Sequence, residues 1–266
     1  MWLEDASAHL GWPNIESIVH PTGGGPSHYA QLVEQKVGNT LARRFDLSEI
    51  RTGVLCATSS ADTAEAPLAI VLQFGGAVSD EVLRDAQRLW WNFSRAALLV
   101  TLEPTRIQAW SCSLAPTKNR KLHSLRVIDP IESKTDETAA NVLQREAAQV
   151  LHWVNLVSGA FLQQHEKKFK KNERADVMLV TNLRAVRKKL LAENLPRDTC
   201  HAMLARLIFT QFLFQRTDSD GRPAISQSVL DGKFDGHLSN QYRHETALPE
   251  ILHDRKKTYA LFHWLN

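Results

Sequence analysis

The segment that most narrows what this chain can fold into is the apolar run Leu68 to Phe74, LAIVLQF. It is long enough for a buried strand and too short for a helix, and Gly75 and Gly76 end it. A β-type stretch at Thr52 to Ala57 precedes it, separated by the polar loop SSADTAEAP. Upstream, PTGGGPS (Pro21 to Ser27) reads as a loop. Ala30, Val33, Val37 and Leu41 then recur at helical spacing, with Glu34 in the middle of that helix. Downstream, Ser79 followed by Asp80 and Glu81 is a helix start, because the hydroxyl caps free amides and the acids favour the positive end of the dipole. Val82, Ala86, Leu89, Trp90 and Phe93 continue its apolar face. Ala97 to Leu102, the turn Glu103-Pro104-Thr105 and the alternating Arg106 to Cys112 form a β-hairpin pattern. The first half thus reads helix, strands, helix, strands. Trp90, Trp91 and Trp110 fall in this apolar periodicity and are expected in the core.

From about Thr135 the periodicity turns helical. Leu143, Ala147, Val150, Leu151, Val154 and Val157 mark one face of a long amphipathic helix that Gly159 interrupts. The basic stretch HEKKFKKNER (His165 to Arg174) leads into a helix with Leu179, Leu183, Val186 and Leu190 inside, stopped by Asn194 and Pro196. The next, Thr199 to Gln215, is apolar nearly all round and is expected to be the central buried helix of this half. Residues 217 to 247 are polar and read as a long loop, and Leu248 to Asn266 reads as one more helix. The expected architecture is therefore an α/β domain over residues 1–133 followed by an all-α domain over 134–266.

Charge divides the chain in the same sense. Residues 1–114 hold 8 Lys+Arg against 12 Asp+Glu, a net −4, and residues 115–266 hold 24 against 17, a net +7. That asymmetry points to a polyanionic partner for the second half. The cysteines Cys56, Cys112 and Cys200 are odd in number, far apart and without CxxC spacing, which suits a reducing cytoplasm rather than a disulfide framework or zinc site. The N-terminus MWLEDASAHL lacks the basic start of a signal peptide, and no segment reaches the roughly 20 apolar residues of a membrane span.

No motif names a reaction. The chain lacks a GxxxxGK[ST] loop, HExxH, GxSxG and a Rossmann glycine pattern, and Gly23 to Gly25 read as a loop rather than a phosphate cradle. The element order of the first half nevertheless resembles a PD-(D/E)xK nuclease-type domain with a mixed sheet flanked by helices. That resemblance implies a helix acid, a strand aspartate and an acid-x-lysine triplet gathering Mg²⁺ to activate water. Laid on this chain, Glu34 stands as the helix acid, Thr52 or Gly53 stands near the aspartate, and Gln73-Phe74-Gly75 falls on the triplet. Glu34 alone keeps its chemistry, so Glu34, Gln73 and Gly75 mark a degenerate site with no catalytic residue and no metal. Glu34 reads first as a solvated helix residue and only second as the relic of a metal site.

A second resemblance covers roughly residues 84–266. RLWWNFSRAALLVTLEPTRIQAW (Arg88 to Trp110), VMLVTNLRAVRKKLLAENLPRDTCHAMLARLIFTQFLFQR (Val177 to Arg216) and YALFHWLN (Tyr259 to Asn266) resemble the N-terminal region of type IIG restriction-modification enzymes and related phage-defence adenine methyltransferases. In those proteins a nuclease-like domain and a helical connector precede the methyltransferase. The resemblance implies a module that handles double-stranded DNA for a methyltransferase domain or defence-system subunit. The [DNS]PP[YFW] tetrapeptide and the glycine-rich S-adenosylmethionine turn are missing from these 266 residues, so S-adenosylmethionine is expected only in a further domain. Lys167, Lys168, Lys170, Lys171, Arg174, Arg184, Arg187, Lys188 and Lys189 are the candidate DNA-binding residues, through phosphate neutralisation and counterion release. They equally read as a solvated charged face. Two alternatives stand beside this expectation. One is an active Mg²⁺-dependent endonuclease using Glu34 with Asp46, Glu49 or Asp62. The other is an assembly module whose Tyr259 to Leu265 helix docks on a partner.

Overall fold

A computed structural model describes residues 2–18, 27–57, 67–93, 96–114, 124–128, 138–169, 174–216, 225 and 244–265. The chain divides into two units, Met1–Val180 and Thr181–Asn266.

The first unit is built on a five-stranded mixed sheet in the order β1-β2-β3-β4-β5, comprising Ile50–Leu55, Ala69–Phe74, Leu98–Glu103, Arg106–Ser111 and Ser124–Ile128. β1 and β2 are antiparallel with Arg51 opposite Gln73, and β2 and β3 are parallel with Gln73 opposite Leu102. β3 and β4 form the expected hairpin, with Glu103 opposite Arg106. The parallel step requires a crossover, which α5 (Asp80–Phe93) supplies, its start capped by the Ser79 hydroxyl accepting from the Val82 N–H at 3.5 Å.

Both faces of the sheet are covered, which is why β2 and β3 read as near-continuous apolar runs rather than alternating ones. One face packs Ile70, Leu72, Phe74, Leu99 and Trp110 against Val33, Val37 and Leu41 and against Val82, Leu83 and Trp90 of α5. The helix carrying the first of these comprises α3 (Ser27–Val33), a π-helical turn at Glu34–Gly38 and α4 (Asn39–Phe45). Trp90 and Trp110 are buried as expected and their indole N–H groups are satisfied, by the Ala96 carbonyl at 3.0 Å and the Thr101 hydroxyl at 2.9 Å.

The other face packs Ala69, Val71, Leu98, Val100 and Ala109 against two groups of helices. One comprises α1 (Trp2–His9) and α2 (Ile15–Ile18). The second is the run α6 (Ala139–Gln144), α7 (Glu146–Gln149), α8 (Trp153–Val157) and α9 (Ala160–Gln164). The single long amphipathic helix expected from Thr135 is therefore four short ones. Arg145 and His152 adopt extended ψ values of 144° and 141° that end two turns, and Gly159, at φ +76°, sets the last break. The domain boundary was expected at 133/134, ahead of these helices. Val142, Leu143, Ala148, Leu151, Leu156 and Phe161 lie in the sheet's own core, so these helices belong to the first unit.

The α10 helix (Ala175–Ala192) crosses the division between the units. The second unit holds α11 (Arg197–Gln215), α12 (His244–His253) and α13 (Arg255–Leu265). The single C-terminal helix expected from Leu248 is thus two, parted at Asp254, whose carboxylate accepts from the N–H groups of Lys256 at 2.8 Å and Lys257 at 3.1 Å. α11 is corrected in its burial. Cys200, Thr210 and Phe214 are covered on one side, while Ile208, Phe209 and Phe212 stand exposed. An apolar helix is buried all round only when enough elements surround it. Among the described residues, α11 makes its main packing contact with α12. No described helix is long and apolar enough to cross a membrane.

Candidate functional site

The concavity nearest the sequence-derived acid lies between the helix bearing Glu34 and the edge strand β1. It encloses about 330 Å³ and is lined by Glu34, Asn39, Ser48, Arg51 and Thr52 over a floor that includes Gly38 and Leu47. Glu34 opens the π-helical turn, a wide turn whose extra residue rotates the following helix, so the acid and Asn39 face one mouth. Gly38 lets the helix approach β1, because a β-carbon there would lie 2.7 Å from the Thr52 methyl carbon. The result is a polar rim of one carboxylate, one amide and two hydroxyls, while the Arg51 guanidinium turns away to Glu4. Such a rim suits hydrogen bonding more than gathering a hard cation, which needs several oxyanions.

The remaining positions of the nuclease pattern are not brought to that mouth. Successive residues of a strand point to opposite faces. Thr52 faces Gly38, whereas Arg51 and Gln73, opposite each other in register, face α1. The Gln73 side-chain oxygen accepts from the Leu3 N–H at 3.3 Å, and Arg51 pairs with Glu4 at 3.2 Å. Gly75 donates its N–H to the Glu49 carbonyl at 3.1 Å and packs beneath the Glu49 side chain. Asp46, at φ +52°, is the left-handed cap that ends α4. Among the described residues, no three His, Cys, Asp or Glu side chains gather where they could hold a metal ion. Asp62 lies outside the described residues.

The most strongly coupled charges of the first unit are elsewhere. Glu103, 1% exposed, receives two bonds from Arg106, at 2.6 and 2.8 Å, and a third from the Val78 N–H at 3.0 Å. Arg106 also donates to the Val78 carbonyl at 3.1 Å. This network pins the β3–β4 turn to the segment that starts α5. Sequence reading took Glu103 only as a turn residue, and its pairing three residues from Arg106 across a two-residue turn was the available signal. Cys112 is buried, and burial pushes its thiol well above the ordinary value, so it is a poor nucleophile.

No protein-family model, curated protein or solved structure matches this chain.

The basic residues divide between the units. In the first, Lys167 and Lys168 are exposed on a 3-10 turn at Glu166–Lys168 that follows α9, and Arg174 is held by Asp176 at 3.2 Å. In the second, Arg184, Lys188 and Lys189 are exposed on α10, and Arg187 donates to the His201 ring at 2.9 Å. Lys170 and Lys171 lie outside the described residues. Arg184, Arg187 and Lys188 share one face by their spacing of three and four, whereas Lys189 sits about a quarter-turn or more away.

Proposed function

We propose that this chain is a catalytically silent, nuclease-like α/β module with a helical connector, which holds duplex DNA for a methyltransferase of a restriction-modification or phage-defence system. The fold order supports the nuclease-like part. An acid-bearing helix precedes an antiparallel strand pair, a crossover helix follows, and the next strand returns parallel to the second. The single observation that carries catalytic silence is Gln73, whose amide sits where the triplet acid is expected and is engaged by α1 on the face opposite Glu34. Exposed Lys167, Lys168, Arg184, Lys188 and Lys189 support the DNA part, through sequence-independent phosphate contacts.

The test is a titration of a labelled duplex of arbitrary sequence at low and moderate salt. Affinity should fall as salt rises, and Lys188→Glu with Lys189→Glu should weaken it and flatten the salt slope by about one per lost phosphate contact. Binding indifferent to salt, or absent at low salt, sinks the proposal. Incubation of the same duplex with Mg²⁺ or Mn²⁺ at high protein should leave it intact, and cleavage that Glu34→Gln abolishes would install the endonuclease instead.

A further inference from the structure

The cavity between the Glu34 helix and β1 gathers four polar side chains that the rest of the fold leaves unused. Among the described residues, the Glu34 carboxylate has no ion pair, and the Asn39 amide and the Ser48 and Thr52 hydroxyls make no hydrogen bond. Elsewhere in the same unit Glu4 holds Arg51, Asp85 holds Arg44 and Arg88, and Glu103 holds Arg106. Unused polar groups that converge on one concavity, beside apolar walls, are how a small-ligand site is built. The π-helical turn that brings Glu34 and Asn39 to the same mouth is an irregularity found mostly at functional positions.

Charge selects the sign of the ligand. Arg51 also lines the wall, but its guanidinium is carried to Glu4 at 3.2 Å, and Lys36 and Arg43 are exposed outside the lining. The mouth therefore keeps one carboxylate without a countercharge, which repels phosphates and other anions. A hard divalent cation needs several oxyanions, and Glu34 alone does not supply them. An ammonium head does not need them. It carries three donors and no acceptor, and one carboxylate with amide and hydroxyl oxygens satisfies it. Half-buried Leu47 and Ile50 beside those oxygens give methylenes an apolar surface, and about 330 Å³ takes a short chain.

We infer that this cavity is a binding site for an alkylammonium group. Glu34 takes the charge, Asn39, Ser48 and Thr52 accept the remaining N–H bonds, and the methylenes lie along Leu47 and Ile50. A free aliphatic amine and the lysine side chain of another protein share this chemistry. The inference does not depend on whether the chain binds DNA.

The probes are n-butylamine, its neutral counterpart n-butanol, and Nα-acetyl-lysine amide, each titrated into the full chain by calorimetry at moderate salt. The amine should bind at least about tenfold tighter than the alcohol, and Glu34→Gln should cost the amine about tenfold or more. Asn39→Ala should cost less. Glu34 and Asn39 are both exposed, so far-ultraviolet ellipticity should not change in either variant. Glu81→Gln, at an exposed acid outside the cavity, should leave binding as it was. Binding of the lysine amide as tight as that of butylamine assigns the site to a lysine of another protein, and binding of butylamine alone assigns it to a free amine. Equal binding of amine and alcohol overturns the inference, as does amine binding that Glu34→Gln leaves untouched or that Glu81→Gln weakens as much. No amine bound at high millimolar concentration overturns it too. Mg²⁺ that displaces the amine and is itself lost in Glu34→Gln would make the cavity a metal centre instead.

Discussion

Gln73 and Leu3 are seventy residues apart in sequence and joined by one hydrogen bond, from the Leu3 N–H to the Gln73 side-chain oxygen at 3.3 Å. Leu3 belongs to the first turn of α1, whose N–H groups have no partner inside the helix, so the β2 amide caps α1 from across the core. Gln73→Ala removes that acceptor and should lower stability by about 1 kcal/mol in urea denaturation. Gln73→Glu places a carboxylate at the positive end of the α1 dipole and should be neutral or stabilising by about 0.5 kcal/mol. It should not confer Mg²⁺-dependent cleavage, because residue 73 faces α1 and not Glu34.

The Glu103–Arg106 pair makes the sharpest stability prediction. Arg106→Ala leaves a buried carboxylate without its cation and should cost about 3–5 kcal/mol, measured as a fall in the urea midpoint. Glu103→Gln in the Arg106→Ala background should recover part of that loss, since the neutral amide can still accept the Val78 N–H. No recovery in the double variant would mean that Arg106 acts through packing of its stem.

At Gly38 the helix and strand touch too closely for a side chain. Gly38→Ala should destabilise by about 1–3 kcal/mol through overpacking against Thr52. Because the obstacle is one methyl group, Thr52→Ser should relieve it, and a double-mutant cycle in thermal unfolding should return a favourable coupling. Gly75→Ala meets the Glu49 side chain down to its β-carbon at 2.9 Å, which cannot rotate away, and should cost a similar amount.

Much of this architecture could be read from the residues, for reasons that differ by element. β2 was legible because a strand covered on both faces must be apolar on both, and α5 because Ser79 and two acids signal its start. The β3–β4 hairpin followed from its turn and alternation. α1 was missed although Leu3, Ala6 and Leu10 are spaced for one helix face, since a short segment rich in polar residues gives little periodic signal. β5 was missed because SLRVI sits in a charged stretch without bounding turn residues. The breaks at Arg145 and His152 carry no Gly or Pro, so the periodicity ran through them. For α11, composition revealed the apolar surface but not the number of neighbours available to cover it. At the candidate site, Glu34 was found as the acid of the helix that precedes the strand pair. Its separation from Gln73 follows from strand parity, which groups Gln73 with Ala69 and Val71 rather than with Leu72.

Asp254 joins α12 to α13 and supplies the pH dependence. The hydrogen bond from the Lys257 backbone N–H, helped by that of Lys256 and by the two lysine charges, outweighs desolvation and holds its carboxyl below the ordinary 3.8. A depressed carboxyl stabilises the fold at pH values above its unfolded value, and that contribution disappears as pH falls through the folded one. Helicity of the full chain should therefore decline on acidification below about 4, and Asp254→Ala should lower it at neutral pH while removing this part of the decline. Circular dichroism across an acid titration reads both.

Trp12 donates its indole N–H to the Leu151 carbonyl at 2.8 Å, and the Trp153 N–H returns a bond to Leu10 at 2.8 Å. The first residues of the chain are thereby sewn to a segment far along it, with Phe161 closing the same core. During synthesis on the ribosome the sheet can emerge and pair while one of its faces still lacks half its cover, until Phe161 has left the exit tunnel. Nascent chains released before that point should expose Val71, Val100 and Ala109 and depend on a chaperone, whereas those extended past it should acquire protease resistance in one step.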